Sequence, residues 1–549
     1  MSTNSASASD FFPDSASELA ADLLESYDAL DMSKRKYVGY VLAPAAGFLL
    51  LTLAGAVLLP LPLTVRIPIP ALGLLVFAAA VIYPKLYLNG RQVAIENQLH
   101  LVMTHMTVLS TTNIDRMEVF RTLAREEEYG AAADELGRIT HLVDTWNQSL
   151  EEFLISEQDA VIENYITVYE GALANLEVMK DLYMSMILSM TFALVFAIVL
   201  PILTGDNPTL TVSAVIVLFM LVQLGFYIAI RAMSPHDPVW FHSEQGAPSD
   251  FRLWASFGVG VAGTVALVAF VGAGLFGVGP GLRGLLFFLE NIPLALYICV
   301  PITPMAITGV MLRLEERNIE ERDGEFPSFI RALGAAESAK QSTTGDVLET
   351  LHKKDFGALT PSITRLYRRL NIRISAEEAW YSFATDTRSY LVQKFSDMYL
   401  EGRSMGGRPK LLGELISQNM NTVMQLREQR RQATVTMIGL LYGITSASAF
   451  AFFIGLQVVN VLADLSQQFD ITDAGGVGKI IYAGVYDIAL IEFLLLLVIL
   501  FNAVLSSVMI RTIDGGNKAN AYLHFVLMTW LGSGVAVFTK YLVSTILSI

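Results

Sequence analysis

Long stretches without a charged side chain alternate along the chain with two polar blocks. Nine such stretches stand out: Tyr37–Val65, Ile67–Pro84, Leu182–Gly205, Asn207–Ile230, Leu253–Leu282, Asn291–Leu312, Gln432–Ala463, Phe493–Ile510 and Ala519–Thr539. An α-helix needs roughly 20 residues to cross a bilayer, and a core helix of a soluble protein rarely runs that far without a charge. The blocks between them, 89–181 and 313–431, are poor in proline and carry apolar residues three and four positions apart, the helical period. The pattern predicts an all-α polytopic membrane protein with about nine transmembrane helices and two similar helical-bundle cytoplasmic domains. Its predicted divisions are an acidic tail (1–36), helices 1–2 (37–88), the first domain (89–181), helices 3–6 (182–312), the second domain (313–431) and helices 7–9 (432–549).

The two blocks share an order of signals that points to a duplicated unit. Ser110-Thr111-Thr112-Asn113 in the first and Ser342-Thr343-Thr344-Gly345 in the second each close a helix and open a turn, because Asn and Gly best tolerate the left-handed conformation. Tyr129-Gly130-Ala131 and Phe356-Gly357-Ala358 follow. Next come Ser149-Leu150-Glu151-Glu152 and Ser375-Ala376-Glu377-Glu378, each a capping box with serine at the cap and glutamate three residues on. Within the apolar runs, Pro301 and Pro304 predict a kink or break. Gly258, Ala262 and Ala266, then Ala269, Ala273 and Gly277, form a ladder of small residues. It reads either as close packing inside the monomer or as a dimer seam. Ser15–Asp31 reads as an amphipathic helix or a solvated tail.

Composition sharpens this picture. Of 549 residues 53% are hydrophobic and 16% charged, which excludes a soluble globular chain. The single cysteine, Cys299, lies in an apolar run, so neither a disulfide framework nor a cysteine metal site is expected. With a net charge of −15, nucleic acid is not an expected partner. The bases Lys34-Arg35-Lys36 follow an acid-rich stretch instead of leading it, unlike a secretory signal. A cytoplasmic N-terminus and external C-terminus would leave 33 of 37 Lys and Arg inside, with Arg66, Arg283, Lys479 and Lys540 outside. The positive-inside rule therefore favours this orientation in the cell membrane.

The blocks differ in charge. Block one holds six bases against 17 acids, net −11; block two holds 19 against 17, net +2. Its bases cluster as Lys353-Lys354, as Arg365, Arg368, Arg369 and Arg373 at helical spacing, and as Arg427, Arg430 and Arg431 before an apolar run. The last cluster reads as a headgroup-facing stripe. The Arg365 cluster, with Lys353 and Lys354, reads either as a solvated face or as a docking face for an acidic partner. Glu290, Asp487 and Glu492 interrupt apolar runs, and of these Glu492 is the candidate for an acid inside the membrane. No catalytic constellation stands out. Gly475-Gly476-Val477-Gly478-Lys479 lacks the Ser or Thr and the glycine spacing of a phosphate loop. His100 and His105 lack the glutamate of a metalloprotease helix, and Glu126-Glu127-Glu128 reads as solvated. Neither enzymatic activity, cofactor nor metal is expected.

Two helical cytoplasmic blocks between groups of membrane helices resemble the inner-membrane platform proteins of type II secretion and type IV pilus machines. Within them Met106–Ala124, MTVLSTTNIDRMEVFRTLA, resembles the platforms of the archaellum, the archaeal motility filament. The resemblance implies a scaffold without activity of its own, beneath the filament. Its implied partners are a cytoplasmic hexameric motor ATPase, archaellin or pilin-like subunits and other archaellum membrane components; a homodimer and membrane lipid complete the expectation. The alternatives are the platform of an adhesive type IV pilus or type II secretion-like system and, further off, a secondary transporter. Duplicated halves and membrane acids suit a transporter, but here the repeated parts are the polar blocks.

Overall fold

The computed structural model describes residues 37, 41–58, scattered positions between 70 and 83, 101–109, and 150–547 apart from 206, 236, 242–250, 276–280, 286–291, 341–343 and 470–486. Among the described residues the chain is helical without strands, apart from an isolated antiparallel bridge between Trp240 and Ser389. The helices are α1 (Ala43–Leu58), α2 (Leu150–Val199), α3 (Pro208–Met233), α4 (Phe251–Leu275), α5 (Leu294–Ile302) and α6 (Met305–Lys340). They continue as α7 (Thr344–Leu351), α8 (Thr360–Asn371), α9 (Ala376–Thr387), α10 (Tyr390–Ser404), α11 (Pro409–Phe469), α12 (Ile488–Asp514) and α13 (Ala521–Leu547).

Six helices, α2, α3, α4, α11, α12 and α13, are long and apolar enough to cross a membrane, and the bent pair α5–α6 makes up to seven. These match the last seven apolar runs in the sequence; the first two fall only partly within the described residues. The proline pair acts as expected. Pro301 closes α5, Pro304 lies in the break, and α6 departs at 46°. Neither proline has an N–H to continue the ladder, and the Trp530 Nε1–H of α13 donates to Thr303 Oγ1 at 3.0 Å to hold the bend. Asp487 is a helix cap, its carboxylate accepting from the Leu490 N–H at 3.1 Å.

The domain edges at 181/182, 312/313 and 431/432 fall inside α2, α6 and α11, which pass from polar to apolar sequence unbroken. The polar ends of α6 and α11, with α7–α10, form a head. Its core is aromatic, built on Phe326, Phe329, Trp380, Phe383 and Tyr399. The helical stretch 101–109 from the first polar block contributes Leu101, Val102, Met106, Val108 and Leu109 to that same core, and His105 Nε2 meets Glu401 of α10 at 2.5 Å. Helix α6 ends at Lys340 and α7 starts at Thr344, so Thr344 and Gly345 of the 342–345 quartet lie in α7 and not in the expected turn, while Ser342 and Thr343 lie outside the described residues. The Ser375 hydroxyl caps α9 by accepting from the Glu378 N–H at 3.2 Å. In the first block the described part of α2 starts at Leu150, and Ser149 with its capping box, the 110–113 quartet and 129–131 lie outside the described residues. So do 15–31, 126–128, His100, Glu290 and the 475–479 loop.

The membrane core joins α2, α3, α11, α12 and α13 and contains polar side chains hydrogen-bonded between helices. Gln223 donates to Asn502 at 2.7 Å, Asn502 donates to Thr445 at 3.0 Å, and the Thr191 and Ser448 hydroxyls are hydrogen-bonded at 2.9 Å. Interhelical bonds of this kind hold helices together where lipid offers no hydrophobic drive. The small-residue ladder corrects the reading of tight packing inside the monomer: Gly258, Ala262, Ala266 and Ala269 are exposed on α4. The face that packs carries Gly260 and Gly263, where an added Cβ would meet Thr308 Oγ1 at 2.5 Å and Pro304 Cβ at 2.9 Å. Helix rotation decides this, since both sets share the small-residue composition.

Helices α6 and α11 come into backbone contact at Gly334 and Gly413. A Cβ on Gly334 would lie 2.3 Å from the Pro409 carbonyl oxygen, a backbone atom that has no rotamer to yield. Gly334→Ala should therefore destabilise the head by about 1–3 kcal/mol through overpacking. Gly324→Ala, on the exposed face of the same helix with nothing within 4 Å, should be neutral or stabilise by up to about 1 kcal/mol. Thermal unfolding of the detergent-solubilised variants checks the pair, and equal midpoints would refute the close approach.

Candidate coupling site at the base of the head

The apolar run of α6 ends at Leu312 and that of α11 begins at Gln432. Just beyond these ends, outside the spanning segments, a buried polar centre ties the head to the membrane helices. Its hub is Arg427 on α11. The guanidinium donates to both carboxylate oxygens of Asp237 at 2.7 Å, to Asp323 Oδ2 on α6 at 3.0 Å and to the Pro238 carbonyl at 3.0 Å. Asp323 is fully buried, and its second oxygen accepts from the Ser389 hydroxyl, which also caps α10 by accepting from the Val392 N–H at 3.0 Å. Ser389 in turn forms the bridge with Trp240, with Tyr390 N–H donating to Val239 O at 3.1 Å and Phe241 N–H to Arg388 O at 2.8 Å. The α3–α4 connection is thus sewn to both helices and to the head.

A second buried acid continues the junction. Glu316 on α6 accepts from Trp240 Nε1–H at 3.1 Å, the Asn517 N–H at 2.6 Å and Asn520 Nδ2 at 2.6 Å, reaching the α12–α13 turn. Arg313 pairs with Asp514 at 2.7 Å. Arg430 places its guanidinium over the end of α12, donating to the Ile513 and Thr512 carbonyls at 2.5 and 3.4 Å. Those carbonyls have no partner within the helix, and a cation there also complements the helix dipole. Gly515 makes room at φ +82°, where a Cβ would lie 3.0 Å from the Arg430 guanidinium. Helix α2 joins through Tyr165 and Tyr169, packed on Leu426.

Burial favours the uncharged form of each member, and the pairing opposes it. For Arg427, burial pulls the pKa down, but Asp237 and Asp323 outweigh it and the guanidinium stays charged, its pKa raised. Burial pushes Asp323 up to about 6 despite Arg427 and the Ser389 hydroxyl. Glu316 is also raised, by burial first, with the Asn517 N–H and Trp240 pulling the other way. Among the described residues no three metal-ligating side chains converge.

The residues singled out by sequence fall elsewhere. Arg427 and Arg430 are not a headgroup-facing stripe, since Arg430 is buried and Arg427, with 13% of its side chain exposed, is held by Asp237 and Asp323; Arg431 alone stays exposed, beside Glu428 at 3.3 Å. Arg365 and Arg369 on α8 both bind Asp386 of α9, at 2.8 and 2.7 Å. Arg373 does not share their helical face, because α8 ends at Asn371 and Arg373 takes a left-handed φ of 64°. Lys353, Lys354, Arg368 and Arg373 are exposed. Glu492 pairs with Lys540 of α13 at 3.1 Å. Sequence reasoning missed Asp237, Glu316 and Asp323. The signal for two of them was present: Leu312, Glu316, Ile319, Asp323, Phe326 and Ile330 lie three or four apart on the buried stripe of α6.

The fold and this junction define a multi-pass helical membrane protein whose head is built on extensions of its own membrane helices. Over 512 residues the chain is 29% identical to the flagella accessory protein J of Methanocaldococcus jannaschii. Over 513 residues it is 30% identical to that of Methanococcus voltae; each comparison spans 87% of this chain and 90% of the relative. The chain belongs to the flagella accessory protein J family, which gives it an archaellum-related role. No family model matches the chain, and no solved structure does.

Removing Arg427 would leave Asp237 and Asp323 facing each other without a cation. Arg427→Met should cost about 3–5 kcal/mol, and Arg427→Lys should fall between, because an ammonium cannot reproduce the fork. Asp323 gives a pH signature. Its folded pKa of about 6 lies above the ordinary 3.8, so the native state takes up a proton that the unfolded state does not, and stability falls as pH rises through 6. Relative to Asp323→Asn, the wild type should gain about 1 kcal/mol between pH 7 and pH 5. Melting curves at the two pH values read this directly, and a constant difference would remove the assignment.

Proposed function

We propose that this protein is the membrane platform of an archaellum, coupling a cytoplasmic hexameric ATPase to filament assembly and rotation. It anchors the filament base, receives archaellin or pilin-like subunits, assembles with other archaellum membrane components and with a second copy of itself, and carries no catalytic activity. The observation behind this reading is the continuity of α2, α6 and α11, of 50, 36 and 61 residues, between head and membrane. At 1.5 Å per residue they measure about 75, 54 and 92 Å. A push on the head reaches the bilayer through stiff rods, with α6 and α11 clamped together by Arg427 and α2 packed on α11 through Tyr165 and Tyr169, without flexible linkers to absorb it. Membership in the flagella accessory protein family supports the filament assignment.

The head faces the cytoplasm, with the N-terminus inside and the C-terminus outside, on the 33-to-4 division of basic residues. Cysteines placed at Ser2 and Ser548 in a Cys299→Ser background should label from opposite sides; labelling from one side would overturn the orientation. The ATPase docks on the exposed bases of the head. Arg365 and Arg369 are engaged by Asp386, so Lys353, Lys354 and Arg368 are the better probes. His352 stacks on Tyr367 at 4.3 Å, which brings the Lys353-Lys354 turn to the flank of α8. Reversing all three to glutamate creates repulsion toward an acidic partner. The triple variant should insert normally yet lose ATPase co-purification and swimming. Retention of both would place the docking surface elsewhere.

A further inference from the structure

Where the head meets α4, a cavity of about 490 Å³ is walled by Arg252, Arg322, Arg365, Arg388, Glu315 and Asp386. Among the described residues of the wall, four guanidinium groups stand against two carboxylates. The acids are already shared: Glu315 lies 3.1 Å from Arg388 and 3.3 Å from Arg322, and Asp386 binds Arg365 and Arg369.

The cavity sits at the level of the membrane surface. Arg252 is one residue before the apolar run of α4, and Met311 and Leu314, also in the wall, flank the end of the apolar run of α6. The pairing of α4 with α6 fixes this register, since Thr308 Oγ1–H donates to the Ser256 carbonyl at 3.0 Å and Gly260 abuts Pro304 and Thr308. Beside the cavity, Phe251 is 83% exposed, Trp254 66% and Leu314 55%, a belt of the kind that lies among headgroups and upper acyl chains.

We infer that this cavity binds the phosphate-bearing headgroup of an anionic lipid, with the acyl chains lying along α4 and α6. Arginine forks match phosphate oxygens in pairs. The apolar belt beside the arginines selects a lipid over a free anion, which would gain nothing from it. Arg365, read from sequence as part of a protein-docking face, takes part here in a lipid site. The bound headgroup spans α4, α6 and the α8–α9 pair, fixing the head against the bilayer surface.

The test uses the full-length purified chain in detergent, titrated separately with short-chain phosphatidylglycerol, short-chain phosphatidylcholine and inorganic phosphate. The thermal midpoint is the readout, because a ligand that binds only the folded state raises it. Phosphatidylglycerol should raise the midpoint saturably, and the other two should not at equal concentration. Arg252→Gln should weaken the apparent affinity for phosphatidylglycerol about fivefold, the contribution of one arginine near an anionic surface. Glu315→Gln should strengthen it by a similar factor, a change that loss of folding cannot mimic. Equal response to phosphatidylcholine, or an unchanged affinity in Arg252→Gln, overturns the site. A response to inorganic phosphate equal to that of phosphatidylglycerol overturns the lipid assignment.

Discussion

A guanidinium withdrawn from water must have its charge and its N–H groups answered inside the protein, and that requirement at Arg427 governs the arrangement of the surrounding elements. Its partners come from positions 104 and 190 residues away in sequence. Satisfying them requires α6, α11 and the α3–α4 connection to meet at one point, and Ser389 brings the start of α10 to the same place. Buried ion pairs contribute little net stability compared with well-packed apolar groups, but a misplaced partner is severely penalised. The centre therefore acts on specificity, selecting one placement of the head on the membrane helices among many that hydrophobic burial alone would permit.

Rigidity and bending are distributed by local chemistry. In α11, 61 residues run without an interior proline beyond the first position, and the helix crosses from head to membrane as one rod. In the neighbouring span the Pro301 and Pro304 pair interrupts the ladder, yet Trp530 and the Gly260–Pro304 contact hold the 46° bend in place. The break thus redirects α6 toward the head instead of loosening it. Where α6 and α11 then run side by side, Gly334 and Gly413 let their backbones touch, so relative sliding of the two rods would meet main-chain atoms immediately.

The surface charges divide by what they touch. Arg427 and Arg430 are internal structural cations, one holding carboxylates and one closing the end of α12. Arg365 and Arg369 secure α8 to α9 through Asp386. Only after these are subtracted does an outward basic set remain, and it is smaller than the sequence clusters imply. The acids behave likewise: Glu492, within an apolar run, has Lys540 beside it on the next helix, and Asp487 serves as a cap.

The sequence by itself determined the class of protein, because helix length against bilayer thickness is a one-dimensional constraint and charge-free runs record it directly. It also determined the break at Pro301 and Pro304 and the cap at Ser375, which depend on residues within a few positions of one another. Family resemblance was legible too, in a stretch whose first residues, Met106, Val108 and Leu109, are buried in the head core. Tertiary structure alone decided which arginines are internal, which face of α4 packs and which acids are buried. Composition near an apolar run is the same for a cation that meets lipid headgroups and for one that meets Asp237. The difference lies in a partner 190 residues away, brought within 2.7 Å only when the helices assemble.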